Sequence, residues 1–286
     1  MDRYFLGLIT RCRDEPFLAE FVNHYFHEGV DEIFIVDDNV EMEMPPSVIN
    51  DNRIVIEKSQ KWTSYEVFQM ADVNRILKKI RNKFDWIISV DCDEFITTRR
   101  NPDNSIRDEL KTTFSEFDYI KIPWVMMACN GREKNPKKLL EELTYRWDYD
   151  KIHTNPYKWN QGDYWEKRIL GKSITRANVI KRMLVHKPTV NNLYTLRSAS
   201  GATGKIDSYD IWHENYGNEA LENSVLVCYH YRIYSRESVR RKIKYFKKFR
   251  EYRSNKPTEK ILMRTDYPEI IDETMKNKSL IRKKKL

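Results

Sequence analysis

Short apolar runs alternate with amphipathic stretches through the first half of the chain. YFLGLIT at 4–10 is apolar without a polar alternation, which predicts a strand buried on both faces. Phe17, Phe21, Val22, Tyr25 and Phe26 then recur at helical spacing. Asp14 is placed to cap that helix, Pro16 suits its first turn and Gly29 its end. EIFIVDD (32–38) and RIVIEK (53–58) predict the next two strands. A helix over 64–83 puts Val67, Met70, Val73, Ile76, Leu77 and Ile80 on one face. WIISV (86–90) predicts the fourth strand, a helix follows near 104–116, and DYIKIPWVMM (118–127) returns to strand. Such alternation belongs to an α/β fold, a mixed and mostly parallel sheet flanked by helices.

Past residue 130 the pattern loosens. YRWDYDKIHTNPYKWNQGDYWEKRIL is aromatic and polar, as expected of a substrate-lining region rather than a sheet core. RSASGATGKIDSYD (197–210) has the small, polar composition of a mobile loop. VLVCYHYRIY (225–234) predicts one more strand, and from Ser235 a basic helix leads to the closing RKKKL. Residues 236–256 hold ten Lys/Arg against two acids, a balance equal to the formal charge of +8 on the whole chain. The rest is therefore near neutral. Val239, Ile243, Phe246 and Phe249 make this segment amphipathic, so it docks on the body or lies on an anionic membrane or polyanionic acceptor.

Composition changes the picture in two further ways. With 40% hydrophobic and 13% aromatic residues among 286, the chain has ample core and is unlike a disordered sequence. Its four cysteines, Cys12, Cys92, Cys129 and Cys228, are scattered without a C-x-x-C pair. That argues against structural zinc and for a reducing compartment. The opening residues reach charges too soon for a signal peptide, and no later run is long enough to span a membrane. The expectation is a cytoplasmic protein, soluble or peripherally attached to a membrane.

The chemistry sits in WIISVDCDEFI (86–96). Asp91, Asp93 and Glu94 crowd the place where a buried strand ends, and like charges at that density repel unless something positive lies between them. Ligands of open α/β sheets bind beyond the carboxyl ends of the strands, where Asp37 and Asp38 also fall. Asp91 and Asp93, one residue apart, can share a hard divalent cation such as Mg²⁺ or Mn²⁺. A solvated acidic turn is the bland alternative, and the apolar strand ahead of the motif is what weighs against it. His186 and His230 both follow strand-like sequence, and either could complete a metal site. Lys172 and Arg176 in GKSITR are candidates for binding phosphate oxygens.

RDEPFLAEFVNHYFHEGVDEIFIVDDN, Gln69 within a helix, and DWIISVDCDEFI together resemble the glycosyltransferase family 2-like group and its family 92 relatives. GKSITRANVIKRMLVHKP and YHYRIYSRESVRRK resemble later blocks of the same group. The resemblance implies a GT-A fold over 1–234, with a nucleotide-sugar half to about 128 and an acceptor half from about 129. Residues 235–286 are then a basic helical extension. It implies sugar transfer from a nucleoside-diphosphate sugar with Mn²⁺ or Mg²⁺. Asp91 and Asp93 would hold the metal and diphosphate, with His186 as the better-matched third ligand. Asp37, Asp38, Thr10 and Arg13 would contact base or ribose, and Gln69 would face the donor. Arg13, Asp14 and Glu15 stand where the group often has Lys-Asn-Glu, which departs from its base contact.

An inverting transferase also needs a base for the acceptor hydroxyl of a glycan or glycoprotein. Asp163, Glu166, Asp207, Asp210 and Glu214 are candidates. Asp207 and Asp210 are preferred because the loop before them is suited to closing over the donor. A two-metal nuclease leaves Asp37 and Asp38 without a role, and a sugar nucleotidyltransferase needs a glycine-rich loop that LITRCRDEP lacks. A nucleic-acid-binding protein would have to present acids at its sheet edge to phosphate, so nucleic acid is not the expected partner.

Overall fold

The computed structural model describes residues 4–60, 65–151, 153, 168–169, 171–191, 196–199, 211–212, 217–248 and 258–283. Its principal elements run in the order β1 (Tyr4–Cys12), α1 (Leu18–His27), β2 (Glu32–Asp37), β3 (Ile54–Lys58), α2 (Tyr65–Ile80), β4 (Phe84–Ser89), β5 (Glu94–Thr98) and α3 (Ile106–Lys111). β6 (Tyr119–Ala128), β7 (Gly171–Arg176), β8 (Leu226–His230), α4 (Arg236–Lys248) and α5 (Thr274–Lys283) complete them.

β3, β2, β1 and β4 lie side by side and parallel. β7 then joins antiparallel between β4 and β6. β8 pairs parallel with β6 and antiparallel with β5, so the sheet is mixed and its first half parallel. Period-two alternation sorts the side chains of these doubly covered strands. Leu6, Leu8, Ile33, Ile35, Trp86 and Ile88 pack with Phe21, Val22 and Tyr25 of α1. Ile9, Phe34, Val36 and Ile87 pack with Val73, Ile76, Leu77 and Ile80 of α2. Burying each such side chain contributes about 1.5–3 kcal/mol before entropy is counted. Gly7 is required by close approach: a Cβ there would stand 2.9 Å from the Phe84 ring.

Parallel pairing brings strand ends to one edge. Cys12 lies opposite Asp37, and Ile9 opposite Ser89, so the segments after β1, β2 and β4 converge. The expected mixed α/β architecture holds. Some local expectations do not. Asp14 does not cap α1; it sits at φ 49°, and its Oδ1 accepts from the amides of Val40, Glu41 and Met42. Three donors in the loop after β2 outcompete a single helix-end amide. The helix expected at 104–116 is only Ile106–Lys111, started by a capping box between Ser105 and Asp108. Glu94 opens β5 rather than ending β4, because residues from 94 onward pair with β8.

The basic segment does form a helix. Ser235 Oγ accepts from the Ser238 amide at the start of α4. Val239 and Ile243 pack with Cys129, Ile233, Leu262 and Met263, so the helix is docked on the body. The Phe246 side chain and Phe249 lie outside the described residues. α5 docks as well: Arg282 and Lys278 reach the buried Glu28, and Arg282 donates to His24 Nδ1 at 2.9 Å. All four cysteines are free and buried. Among the described residues, no helix is long and apolar enough to cross a membrane.

Candidate functional site

The converging strand ends open into a cleft of about 310 Å³. Its floor comes from the segment after β1 (Arg11, Arg13, Asp14, Glu15) and from the Asp91-Cys92-Asp93 turn after β4. One wall is His230, Arg232 and Ile233 at the end of β8; another is Val239, Arg241 and Lys242 of α4. The β8–β5 register sets His230 opposite Glu94, and the Tyr231 amide donates to the Asp93 carbonyl at 2.8 Å. This ladder is what brings a histidine from late in the chain to the acidic turn.

The crowded acids are each met by a lysine. Lys172 of β7 places its ammonium 2.9 Å from Asp91 Oδ2, 3.0 Å from Glu94 Oε2 and 2.9 Å from the Val185 carbonyl. Its three protons are thereby committed. Burial raises the Asp91 carboxyl, and Lys172 beside it more than reverses this, leaving it below its ordinary value. Burial, with Asp91 and Asp93 nearby, pushes Glu94 up to about 8 against the pull of Lys172. One lysine charge thus meets one ionised carboxylate and one that favours its proton. Lys242 of α4 holds the other acid, with Nζ 2.9 Å from Asp93 Oδ2 and 2.6 Å from the Arg232 carbonyl. Asp93 is partly buried, which raises its carboxyl, yet Lys242 and then His230 bring it down to about 2.

His230 Nε2 stands 3.7 Å from Asp93 Oδ1, too far for a hydrogen bond, and its Nδ1 is buried without a hydrogen-bond partner. Burial keeps the ring at about 4, despite the pull of Asp93, so at neutral pH it offers a lone pair. Neighbouring ligands of an octahedral Mg²⁺ or Mn²⁺ stand about 3 Å apart. Asp93 and His230 therefore fit a hard divalent cation after a small side-chain adjustment. Among the described residues, no three His, Cys, Asp or Glu already form a ligand cluster. His186 is not among the residues lining the cleft, but it lies behind them. Its ring packs edge-on to Trp124 at 5.3 Å, the same Trp124 that His230 lies against at 4.4 Å, and the charges of Lys172, Asp91 and His230 reach it.

The other expected residues divide in the same way. Arg13 lines the cleft and donates to Asp38 Oδ2 at 2.9 Å, and Arg11 pairs with the same oxygen. Asp38 thus acts on the cleft through two arginines. Asp37 pairs with Lys58. Thr10 Oγ1 is buried 3.3 Å from Cys92 Sγ, behind the turn. Gln69 falls on α2, its side chain outside the described part of the structure. Asp163, Glu166, Asp207, Asp210 and Glu214 lie outside the described residues. Arg176 is away from the cleft, donating to the Ser115 carbonyl and stacked over Trp86.

Sequence reasoning passed over Arg11, Arg232, Arg241 and Lys242, and noted Glu15 only within the Arg13-Asp14-Glu15 departure from the family pattern. Glu15 is enclosed by the cleft; burial and then Asp93 push it up to about 7. The available signal was the block YHYRIYSRESVRRK, which ends on Lys242 and contains His230, Arg232 and Arg241.

No curated protein matches the chain. Among solved structures, HddC from Yersinia pseudotuberculosis shares 10% identity at a TM-score of 0.35, over 67% of this chain and 88% of that one. The family model for glycosyltransferase family 92 matches residues 17–275, a stretch that takes in the acidic turn, β8 and α4 but begins after β1. That match covers most of the sequence, and the chain belongs to glycosyltransferase family 92.

Proposed function

We propose that the cleft takes a nucleoside-diphosphate sugar and passes the sugar to a hydroxyl of a glycan or glycoprotein, with Mn²⁺ or Mg²⁺ held by Asp93 and His230 and with Asp91 beside them. The observation that carries this reading is the mixture of charges at one strand edge. Two acids and a low-pKa histidine suited to a cation stand among Arg11, Arg13, Arg232, Arg241 and Lys242, which are suited to a diphosphate. When bound, the cation supplies Lewis-acid neutralisation of the diphosphate leaving group. The arginines offset the charge that grows on the same oxygens. Arg13, steadied by Asp38, faces the donor, with Thr10 and Asp37 supporting the edge from behind. Asp207 or Asp210 is proposed to take the acceptor proton.

A nucleic-acid-binding role for α4 has less support. Among its described residues, Arg236 and Arg240 pair with Glu259, Lys242 with Asp93 and Lys244 with Glu41.

Calorimetric titration with a panel of nucleoside diphosphates, with and without Mn²⁺, tests the proposal. One nucleotide should bind in a Mn²⁺-dependent manner, and Asp93→Ala should weaken it at least about a hundredfold, the order expected for losing a charged ligand. Absence of nucleotide binding in every metal condition would overturn the reading.

A further inference from the structure

Resting on that reading, we infer that Lys242 is a movable counter-ion: it covers Asp93 in the free protein, gives way to the divalent cation, and re-engages on the donor diphosphate. The cleft would thereby take metal and diphosphate together rather than metal alone.

The inference starts from the difference between the two lysines at one turn. The Lys172 side chain is 3% exposed and hydrogen-bonded to three fixed oxygens, so displacing it would leave Asp91 and the buried Glu94 without their cation. The Lys242 side chain is 30% exposed, reaches the cleft from the wall, and holds one carboxylate oxygen and one carbonyl. Its helix stays put when the side chain leaves, because α4 is anchored by Val239 and Ile243 in an apolar cluster and by the Ser235–Ser238 cap. A four-carbon stem supplies the reach.

Charge then dictates the order of events. Lys242 sits on Asp93 Oδ2, while Asp93 Oδ1 faces His230. A divalent cation between Asp93 and His230 would stand within a few ångströms of the ammonium and repel it. Metal binding alone therefore breaks a charge-assisted hydrogen bond and leaves a half-buried cation facing another. A diphosphate bound in the cleft would offer the displaced ammonium a new anion among Arg11, Arg13, Arg232 and Arg241. Metal and diphosphate then favour each other, and by linkage the coupling is reciprocal.

Mn²⁺ binding to the full chain, followed by calorimetry and by the loss of the free-Mn²⁺ paramagnetic resonance signal, tests this without any assay of activity. Lys242→Met should bind Mn²⁺ alone about tenfold to a hundredfold more tightly than wild type, the scale of one charge-assisted hydrogen bond. It should bind the Mn²⁺-dependent nucleoside diphosphate less tightly, so the coupling shrinks from both sides. Lys242→Arg, which keeps the cation, should stay near wild type, and adding Asp93→Asn to Lys242→Met should erase the gain. Unchanged or weaker Mn²⁺ affinity in both Lys242→Met and a second neutral variant, Lys242→Gln, overturns the inference while leaving the transferase reading intact. If no variant, nor the wild type, binds Mn²⁺ with any nucleoside diphosphate, the metal–diphosphate reading falls and this inference with it.

Discussion

Lys172 and Lys242 answer the same problem, a carboxylate of the Asp91-Cys92-Asp93 turn, with different physics. Lys172 comes from a strand inside the sheet and is sealed from water among three oxygens. Lys242 comes from a helix that closes the cleft and remains partly wet. Burial makes the first a strut, because an unpaired charge there has nowhere to be solvated. Solvent access makes the second exchangeable, because water and incoming ions can replace it. The antiparallel strand β7 thus pins the acidic turn from inside the sheet, while α4 presents Lys242 to the cleft.

Stability measurements should separate the two most widely. Lys172→Met removes the partner of Asp91, whose own side chain is 39% exposed, and of Glu94, which favours its proton. It should lower unfolding free energy by about 1–3 kcal/mol, whereas Lys242→Met should cost no more than about 1 kcal/mol. Equal losses in urea denaturation would erase the distinction between strut and movable counter-ion. A smaller effect is expected with pH. Burial holds His24 at about 3 and His230 at about 4, below the ordinary histidine value. A depressed folded value stabilises the fold above about 6.5 and loses that contribution as pH falls toward the folded value. Stability should therefore decline between pH about 6.5 and 4, each histidine contributing up to about 1.4 kcal/mol per pH unit. His24 is held neutral structurally, donating from Nε2 to the Ile96 carbonyl and accepting Arg282 at Nδ1. His24→Gln should flatten part of the decline, as followed by denaturation midpoints at several pH values. The smallest effect belongs to the outer face of α4: Arg240→Ala, removing exposed pairs with Glu133 and Glu259, should leave the midpoint unchanged.

Much of the fold was legible because local signals agreed with each other. Apolar runs without alternation marked β1, β2 and β4, helical spacing marked α1 and α2, and Gly29 at φ 88° closes α1 as its position predicts. The acidic turn was legible for the same reason, since three acids after an apolar strand are costly unless used. Asp14 misled because its helix-capping signal is local, while the loop amides that claim it lie 26 to 28 residues away. Lys242 was illegible as a site residue because on an amphipathic basic helix it looks like any solvated lysine.

By itself, then, the sequence determined the alternation of strands and helices and the acids that stand at one edge of the sheet. Those follow from periodicity and burial, which are properties of neighbouring residues. Only the tertiary structure decided which cations meet those acids, that His230 stands 3.7 Å from Asp93, and that Arg11 and Arg13 share Asp38. Partners separated by 81 and 149 residues, as Lys172 and Lys242 are from Asp91 and Asp93, are brought together by strand register and helix docking. No local pattern along the chain encodes that distance.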